Sequence, residues 1–272
     1  MLRKRIIPCL LLRNGALVKT VKFNKFDYIG DPVNTIRIFN ELEVDELILL
    51  DILVSRLNNE PDFELIKEVS EECFMPLTYG GGIKSVDDMR KILSIGVEKI
   101  TINTSALKNP KLIEEGVKNF GSQCVVGSID IKKNIFGKYT VYSRNILEGS
   151  IINPIETAIE MEDRGVGELL ITSADRDGTW SGYDIELIKI IMDNVSIPVI
   201  VNGGAGYLSD IDELFKKTSS SAAAAGSLFI YQKKGMGVLV NFPDRIQIRN
   251  AIKSWKSYFN GISAKHSNLW EN

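Results

Sequence analysis

Two glycine clusters stand roughly half a chain apart, each at the end of a short apolar run. Residues 78–84 read Thr-Tyr-Gly-Gly-Gly-Ile-Lys, and residues 201–206 read Val-Asn-Gly-Gly-Ala-Gly. Each is followed by a serine with an aspartate three residues on, Ser85/Asp88 and Ser209/Asp212, the spacing of a capping box with Asp in the Glu place. A second pair, Ile102-Asn103-Thr104-Ser105 and Ala225-Gly226-Ser227-Leu228, recurs at nearly the same offset. Glycine at a strand end lets an anion approach backbone N–H groups with no Cβ in the way, and a helix N-terminus beside it favours negative charge. Gly82, Asn103 and Thr104 therefore form one candidate phosphate site, and Gly178, Gly204, Gly206, Gly226 and Ser227 a second. A tight turn is the bland reading of either cluster alone. Their recurrence favours phosphate, and two facing sites imply a long substrate phosphorylated at both ends.

Acid–base chemistry has few candidates. Asp130 closes the run Gly127-Ser128-Ile129-Asp130, the place for a general acid or base; its bland reading is an ion partner for Lys132 or Lys133. Where the repeat calls for a matching carboxylate in the first half, the chain carries Leu11. Asp175-Arg176-Asp177-Gly178-Thr179 is polar and turn-prone, suited to contacting a substrate, although Asp177-Gly178 alone is an ordinary turn. Residues 14–30 read as a long loop carrying Lys19, Lys22 and Lys25, either a basic lid over a phosphorylated ligand or a solvated surface loop. Arg5, Glu46, Lys99 and Glu168 lie at or near strand starts, two cations and two anions. They form a floor ring that is either a structural ion network of little net stability or a gate for a small polar molecule.

These residues need elements to place them. Eight apolar, β-rich runs fall at 5–11, 46–52, 76–79, 99–103, 124–130, 168–173, 198–202 and 222–226, nearly continuous in hydrophobicity as parallel strands covered by helices are. Helices are expected to open at Asp31-Pro32, near Pro61, at Ser85, Asn109-Pro110, Asn153-Pro154, Asp184 and Ser209, with Gly96 and Gly165 ending two of them. Eight βα units predict an α/β chain folded as one (β/α)8 barrel, with a half-barrel repeat and a site at the C-terminal strand ends; a doubly wound sheet is the runner-up. The barrel is expected over 1–231. Residues 232–272 depart from the repeat, with an extended stretch at 236–242 and a helical period at 251–258.

The 272 residues are 44% hydrophobic and 25% charged with a net charge of −2, an ordinary globular balance with no charge block for nucleic acid or a membrane surface. The apolar start of the chain is short, broken by Pro8 and without a small-residue cleavage site, so it reads as a first strand rather than a signal peptide. Cys9, Cys73 and Cys124 are scattered and odd in number, which points to a reduced, cytoplasmic protein. With His266 as the single histidine, a His-based metal site is excluded, and no cofactor is called for.

Taken together, these residues resemble a known family. Lys4-Arg5-Ile6-Ile7-Pro8-Cys9-Leu10, Gly30-Asp31-Pro32-Val33, Leu50-Asp51-Ile52, Gly80-Gly81-Gly82-Ile83, Ile102-Asn103-Thr104, Asp175-Arg176-Asp177-Gly178-Thr179, Ser181-Gly182-Tyr183-Asp184 and Gly203-Gly204-Ala205-Gly206 are similar to the HisF family, the cyclase subunit of imidazole glycerol phosphate synthase, over residues 1 to about 230. The resemblance implies a (β/α)8 barrel paired as a heterodimer with a HisH-like glutaminase. Ammonia would enter through a gate matched by Arg5, Glu46, Lys99 and Glu168 and travel along the barrel axis. It also carries Lys19, Asp51 and Asp177 into the substrate site. Two aspartates do the acid–base work in the family. Asp130 matches one; the other falls on Leu11, where the family reads Cys-Leu-Asp and this chain reads Cys9-Leu10-Leu11. Loss of a positioned acid–base group costs about 10²–10⁴-fold in rate.

The reading Ile-Pro-Cys-Leu-Leu-Leu resembles a divergent branch found with bacterial surface-polysaccharide genes. That branch implies a barrel that passes ammonia from a HisH-like glutaminase to a separate sugar amidotransferase-type enzyme, which converts an acetamido group to an acetamidino group. Two other readings stay open. One is a working cyclase converting PRFAR and ammonia to imidazole glycerol phosphate and AICAR, with Asp130 assisted by Asp177 or Asp51. The other is a non-catalytic docking scaffold.

Overall fold

Side chains along a strand point alternately to opposite faces, and in this chain the alternation separates two apolar layers. In β1 (Arg5–Arg13), Ile6, Leu10 and Leu12 join the large core under the helices, while Ile7 and Cys9 join a smaller cluster inside the sheet. The computed structural model describes residues 4–143 and 152–252. After β1 the chain makes a hairpin extension, β2 (Ala16–Val21) and β3 (Lys25–Gly30), and then β4 (Leu47–Asp51), β5 (Leu77–Gly80), β6 (Lys99–Ile102) and β7 (Val125–Lys133). A short β8 (Tyr139–Val141) pairs back on β7, followed by β9 (Glu168–Ser173), β10 (Val199–Asn202) and β11 (Ala222–Ala225). The strands β1, β4, β5, β6, β7, β9, β10 and β11 are neighbours in that order and parallel throughout. β11 pairs with β1 from Arg5↔Ala222 to Pro8↔Ala225, which closes the sheet into the expected (β/α)8 barrel.

The helices begin where local chemistry satisfies their free N–H groups. In α1 (Pro32–Glu41), Asp31 accepts from Asn34 N at 2.8 Å, with Pro32 at the first position. Asp62 and Asp184 cap α3 (Phe63–Glu72) and α8 (Ile185–Met192), and Asn153 caps α7 (Pro154–Asp163). Between them lie α2 (Val54–Leu57), α4 (Val86–Ser94), α5 (Thr104–Lys108) and α6 (Lys111–Phe120). Ser85 and Asp88 form the expected capping box at α4. The second box is not where the repeat placed it. α9 (Leu208–Lys217) starts earlier than Ser209, the Asp210 carboxylate accepts from the Gly206 and Tyr207 N–H groups just ahead of it, and Asp212 pairs with Lys216 instead. Ser209 is already the second residue of the helix, so it cannot serve as the N-cap.

The stretch 14–30 is not an irregular loop. Asn14 and Gly15, both left-handed at φ 51° and 74°, make the tight turn that an Asn-Gly pair favours, and β2 and β3 follow with Val, Thr, Phe and Tyr. β1 and β7 therefore run past Leu11 and Asp130, because antiparallel partners continue the ladder beyond the barrel. Past β11, α10 (Ser227–Ile230) is followed by a single bridge, Tyr231↔Val238, rather than a strand over 236–242. The next helix, α11 (Arg245–Ala251), precedes the expected 251–258 period and places Ile248 in the core with Ile252; residues 253–258 and His266 lie outside the described residues.

Glycines pin the strand ends to neighbouring backbone. Gly81 sits at φ 125°, and a Cβ there would lie 2.5 Å from the Asp51 carbonyl oxygen. Gly81→Ala is expected to destabilise the fold by ~1–3 kcal/mol, read as a lower denaturant midpoint at unchanged slope.

Candidate functional site

The barrel floor carries four charges in a closed circuit. Arg5 donates to Glu46 at 2.7 Å and also pairs with Glu168, while Lys99 donates to Glu46 at 3.0 Å and to Glu168 at 3.4 Å. Each cation bridges both anions, and Ser221 Oγ adds a contact to Glu168 at 3.2 Å. Burial works against the Arg5 charge, but the Glu168 and Glu46 carboxylates outweigh it and hold its pKa above the usual value. The two carboxylates are almost fully buried, and the two cations keep about a fifth of their side chains exposed at 22% and 23%. The four residues named from the sequence thus form one ring, and its cationic members reach the outer face of the floor.

Above it the interior is aliphatic, with Ile7, Ile48, Leu170, Ile200 and Ala224. It becomes polar toward the strand ends. Thr78 and Thr101 alternate with outward core residues and so face inward. Both are buried, and their hydroxyls have no hydrogen-bond partner among the described residues.

At the C-terminal strand ends a cavity of about 220 Å³ opens. Leu11, Lys19, Asp51, Gly82, Asn103, Thr104, Asp130, Asp177 and Gly226 all line it, so most of the residues singled out in the sequence converge on one place. Asp130 accepts from Asn103 Nδ2 at 2.9 Å and from the Thr172 hydroxyl. Burial nevertheless dominates and pushes its carboxyl up to about 7, a value suited to exchanging protons near neutrality. It is not the ion partner of Lys132 or Lys133: Lys132 lies over the Tyr142 ring, and Lys133 over Tyr139. Leu11, pairing with Leu50 of β4 and Val18 of β2, presents alkyl surface to the same cavity. Cys9, also lining it, is pushed up to about 12 by burial and stays a thiol.

Several candidates have other partners. Lys19 is buried and donates to Asp177 at 2.5 Å; Asp177 also accepts from the Thr20 hydroxyl, and its carbonyl accepts from Lys22 N at 2.8 Å. Lys19 is thus the one lysine of the hairpin that turns inward, since Lys22 and Lys25 are exposed. Asp51 accepts from Leu53 and Val54 N–H at 3.0 and 3.2 Å, capping the short α2, and burial raises its pKa. The glycines also answer to a packing constraint. The space a Cβ would need is taken by the chain itself: Val54 at Gly82, the Thr20 carbonyl at Gly178, the Gly182 carbonyl at Gly204 and Trp180 at Gly206. Gly82 N donates to Ser55 Oγ at 2.9 Å and Gly206 N to Asp210. Among the described residues Gly178, Gly204, Gly206 and Ser227 do not line the cavity, whereas the first cluster opens into it beside Arg56. Phe23, Phe26, Tyr142 and Arg56 also line it and were missed. The Asn14-Gly15 turn signal would have placed Phe23 on a hairpin over the mouth; Tyr142 carries no comparable signal. Among the described residues no cluster of His, Cys, Asp and Glu is arranged to hold a metal, and no helix is long and apolar enough to cross a membrane.

Comparison with known proteins agrees with this geometry. The profile of the histidine biosynthesis protein family matches residues 5–235. The chain is 54% identical over 244 residues to a Pseudomonas aeruginosa protein that provisionally carries the name imidazole glycerol phosphate synthase subunit hisF2, covering 90% of this chain and 97% of that one. It is 47% identical over 234 residues to a Campylobacter jejuni protein, likewise provisionally named hisF2, at 86% and 92% coverage. It is 45% identical over 233 residues to the imidazole glycerol phosphate synthase subunit HisF of Alkaliphilus metalliredigens, at 86% and 92% coverage.

Two outcomes test the electrostatics. Lys19→Met strands a buried carboxylate and is expected to cost ~3–5 kcal/mol, most of it recovered in Lys19→Met/Asp177→Asn, as a double-mutant cycle in urea would read. The Asp130 carboxyl titrates near 7 in the folded chain and near 4 when unfolded, so the folded state binds more protons across that window. Its contribution to stability is therefore present at low pH and lost as pH rises through the window. Asp130→Asn is expected to match the wild type at pH 4, exceed it at pH 8, and flatten the slope between.

Proposed function

The chain belongs to the HisF family of imidazole glycerol phosphate synthase subunits, and on that footing we propose that it serves as the barrel subunit of a glutamine amidotransferase complex devoted to a bacterial surface glycan. A HisH-like glutaminase docks at the strand-start face, and its ammonia passes the floor ring and rises along the axis. A separate sugar amidotransferase-type enzyme uses that ammonia to convert an acetamido group to an acetamidino group. Arg5, Glu46, Lys99 and Glu168 gate the entry. The Thr78 and Thr101 hydroxyls, buried and without a protein partner among the described residues, offer oxygens to which a passing ammonia can donate.

The observation that carries this reading is Leu11. It stands at the rim of β1, and β1 and β7 are on opposite sides of the barrel, so Asp130 is faced across the cavity by an alkyl group where a second acid–base group would stand. Cleavage with ring closure needs proton transfer at more than one atom, and a second positioned acid–base group is required. Three carboxylates line the cavity among the described residues. Asp177 is committed to Lys19 and Thr20, and Asp51 to the N-terminus of α2, so neither stands ready in Leu11's place. The phosphorylated ligand, in this reading, sits at Gly82, Asn103 and Thr104 and couples the two partners rather than being turned over.

The cyclase reading is favoured by one observation, that Asp130 keeps its place, its Asn103 partner and a carboxyl titrating near 7. Ammonia-driven cyclisation of PRFAR separates the two. The expected result is wild-type turnover at least ~10²-fold below that of Leu11→Asp. Equal turnover in the wild type and the variant would make the chain a working cyclase and end the amidation reading. No measurable affinity for inorganic phosphate would favour a docking scaffold.

A further inference from the structure

Three segments far apart in sequence meet on the strand-end face. β2 and β3 rise from β1, the β7–β8 hairpin rises from the opposite side of the barrel, and residues 231–239 follow α10. Two contacts fix the third segment beside the mouth. The Tyr231 hydroxyl donates to Asp27 of β3, and Lys234 Nζ donates at 3.1 Å to the carbonyl of Thr179, in the turn after β9. Each segment exposes large apolar side chains. Tyr28 is 70% exposed, Ile135 and Phe136 are 93% and 78% exposed, and Met236, Val238 and Leu239 are also exposed. Each segment also exposes lysine. Lys22, Lys25, Lys133, Lys138, Lys233 and Lys234 stand there against one exposed acid, Asp27, in a chain whose net charge is −2. No single stretch of the sequence is a charge block; the fold assembles one.

The β7–β8 tip is the sharpest of these features. β7 rises about 10 Å between Asp130 and Lys133. The chain then turns through Asn134-Ile135-Phe136-Gly137. Asn134 Oδ1 accepts from the N–H groups of Phe136 and Lys138 at 2.9 and 3.0 Å, and Gly137 N donates to the Asn134 carbonyl at 2.9 Å. A turn held in this way presents an isoleucine and a phenylalanine to water, where turns usually take Asn, Asp, Ser or Gly. Neither side chain lines the cavity, so neither serves a ligand there. The lysines alone would suit the attraction of an anionic substrate; the apolar tip has no part in that.

Two kinds of partner cover such faces. A protein interface gathers its anchors into one desolvated patch and favours Arg over Lys. Here the apolar groups are divided among three protrusions, and the exposed cations of the three segments are all lysine. A lipid surface takes that arrangement. Separate apolar tips enter the boundary between headgroups and acyl chains, lysine stems lie along them with their ammonium groups at the phosphates, and tyrosine sits at the interface. Lys133 is shared with Glu186 at 3.6 Å, so the other five lysines carry most of the attraction.

We infer that the strand-end face of this barrel docks on an anionic lipid surface, with Ile135 and Phe136 inserted and the lysines of the three segments against the headgroups. The cavity mouth, on the same face, then opens toward the headgroup layer. Docking of this kind is independent of the chemistry in the cavity.

Co-sedimentation of the full chain with vesicles is the test, using phosphatidylcholine alone and phosphatidylcholine mixed with phosphatidylglycerol at about 3:1. Binding to the mixed vesicles is expected to be at least ~tenfold tighter than to the neutral ones, and to weaken as salt is raised. Ile135→Ser/Phe136→Ser is expected to lower the mixed-vesicle affinity ~tenfold or more, and Lys138→Glu ~fivefold or more. Phe74 provides the control. It is 84% exposed and lies just ahead of β5, on the strand-start face, so Phe74→Ser is expected to leave vesicle binding unchanged. An unchanged denaturant midpoint certifies the fold of each variant. No binding to either vesicle, equal binding to both, full affinity in the hairpin double variant or an equal loss in Phe74→Ser overturns the lipid docking. Absence of vesicle binding together with self-association of the chain would assign the face to a second copy instead.

Discussion

Strict alternation along eight parallel strands is the constraint on which everything else in this molecule rests. Once the sheet closes, half of the strand residues must face the lumen and the other half must face the helices. In β1 the even positions Ile6, Leu10 and Leu12 belong to the outer core and the odd positions Arg5, Ile7, Cys9 and Leu11 to the axis. A shift of one residue would put an arginine among the helices. The charges at the floor, the aliphatic collar and the polar cavity are therefore a single set of inward-facing residues read from the strand starts to the strand ends.

Much of this was legible because it is periodic. Continuous apolar runs, capping aspartates and the Asn153-Pro154 and Asp31-Pro32 starts are local signals, and the structure places strands and helices close to where they point. The four charged residues near strand starts were also legible, since alternate strands fill one interior layer. What was not legible depends on side chains from distant segments. Lys19 and Asp177 were each expected to face a ligand; both line the cavity, and there they also meet each other, a pairing that joins β2 to the turn after β9. The glycine clusters were found for a sound reason, but the close approach that excludes a Cβ is made by the chain's own backbone and by Val54 and Trp180. The residues 14–30 were read through their lysines. Reading them through Asn14-Gly15 and the β-branched and aromatic residues that follow gives the hairpin.

The two halves of the barrel share geometry without sharing chemistry. Gly81 and Gly204 hold equivalent left-handed turns, yet the first cluster opens on the cavity while the second is covered by Trp180, which itself adopts φ 62° and meets Tyr207 edge-to-face. Leu11 and Asp130 occupy corresponding strand positions and differ most of all. Such divergence costs the scaffold little, because a side chain at the rim of the lumen contributes less to packing than Leu10 or Ile129 one position away, both of which are buried in the outer core.

The register between β11 and β1 has a consequence for how the chain reaches this state. Arg5 lies opposite Ala222, so the last strand to be synthesised must find the first, and the entropy of closing nearly the whole chain falls on that step. Without residues 222–225 the parallel ladder from β1 through β10 is an open sheet with two unsatisfied strand edges. The charges add a check on that arrival. Arg5 donates its backbone N–H to the Ser221 carbonyl and its side chain to Glu168, which Ser221 also contacts, so a seam closed out of register separates these groups inside an apolar wall. The charges thus select the register of the seam, and a chain truncated before β11 would expose two strand edges rather than form a smaller barrel.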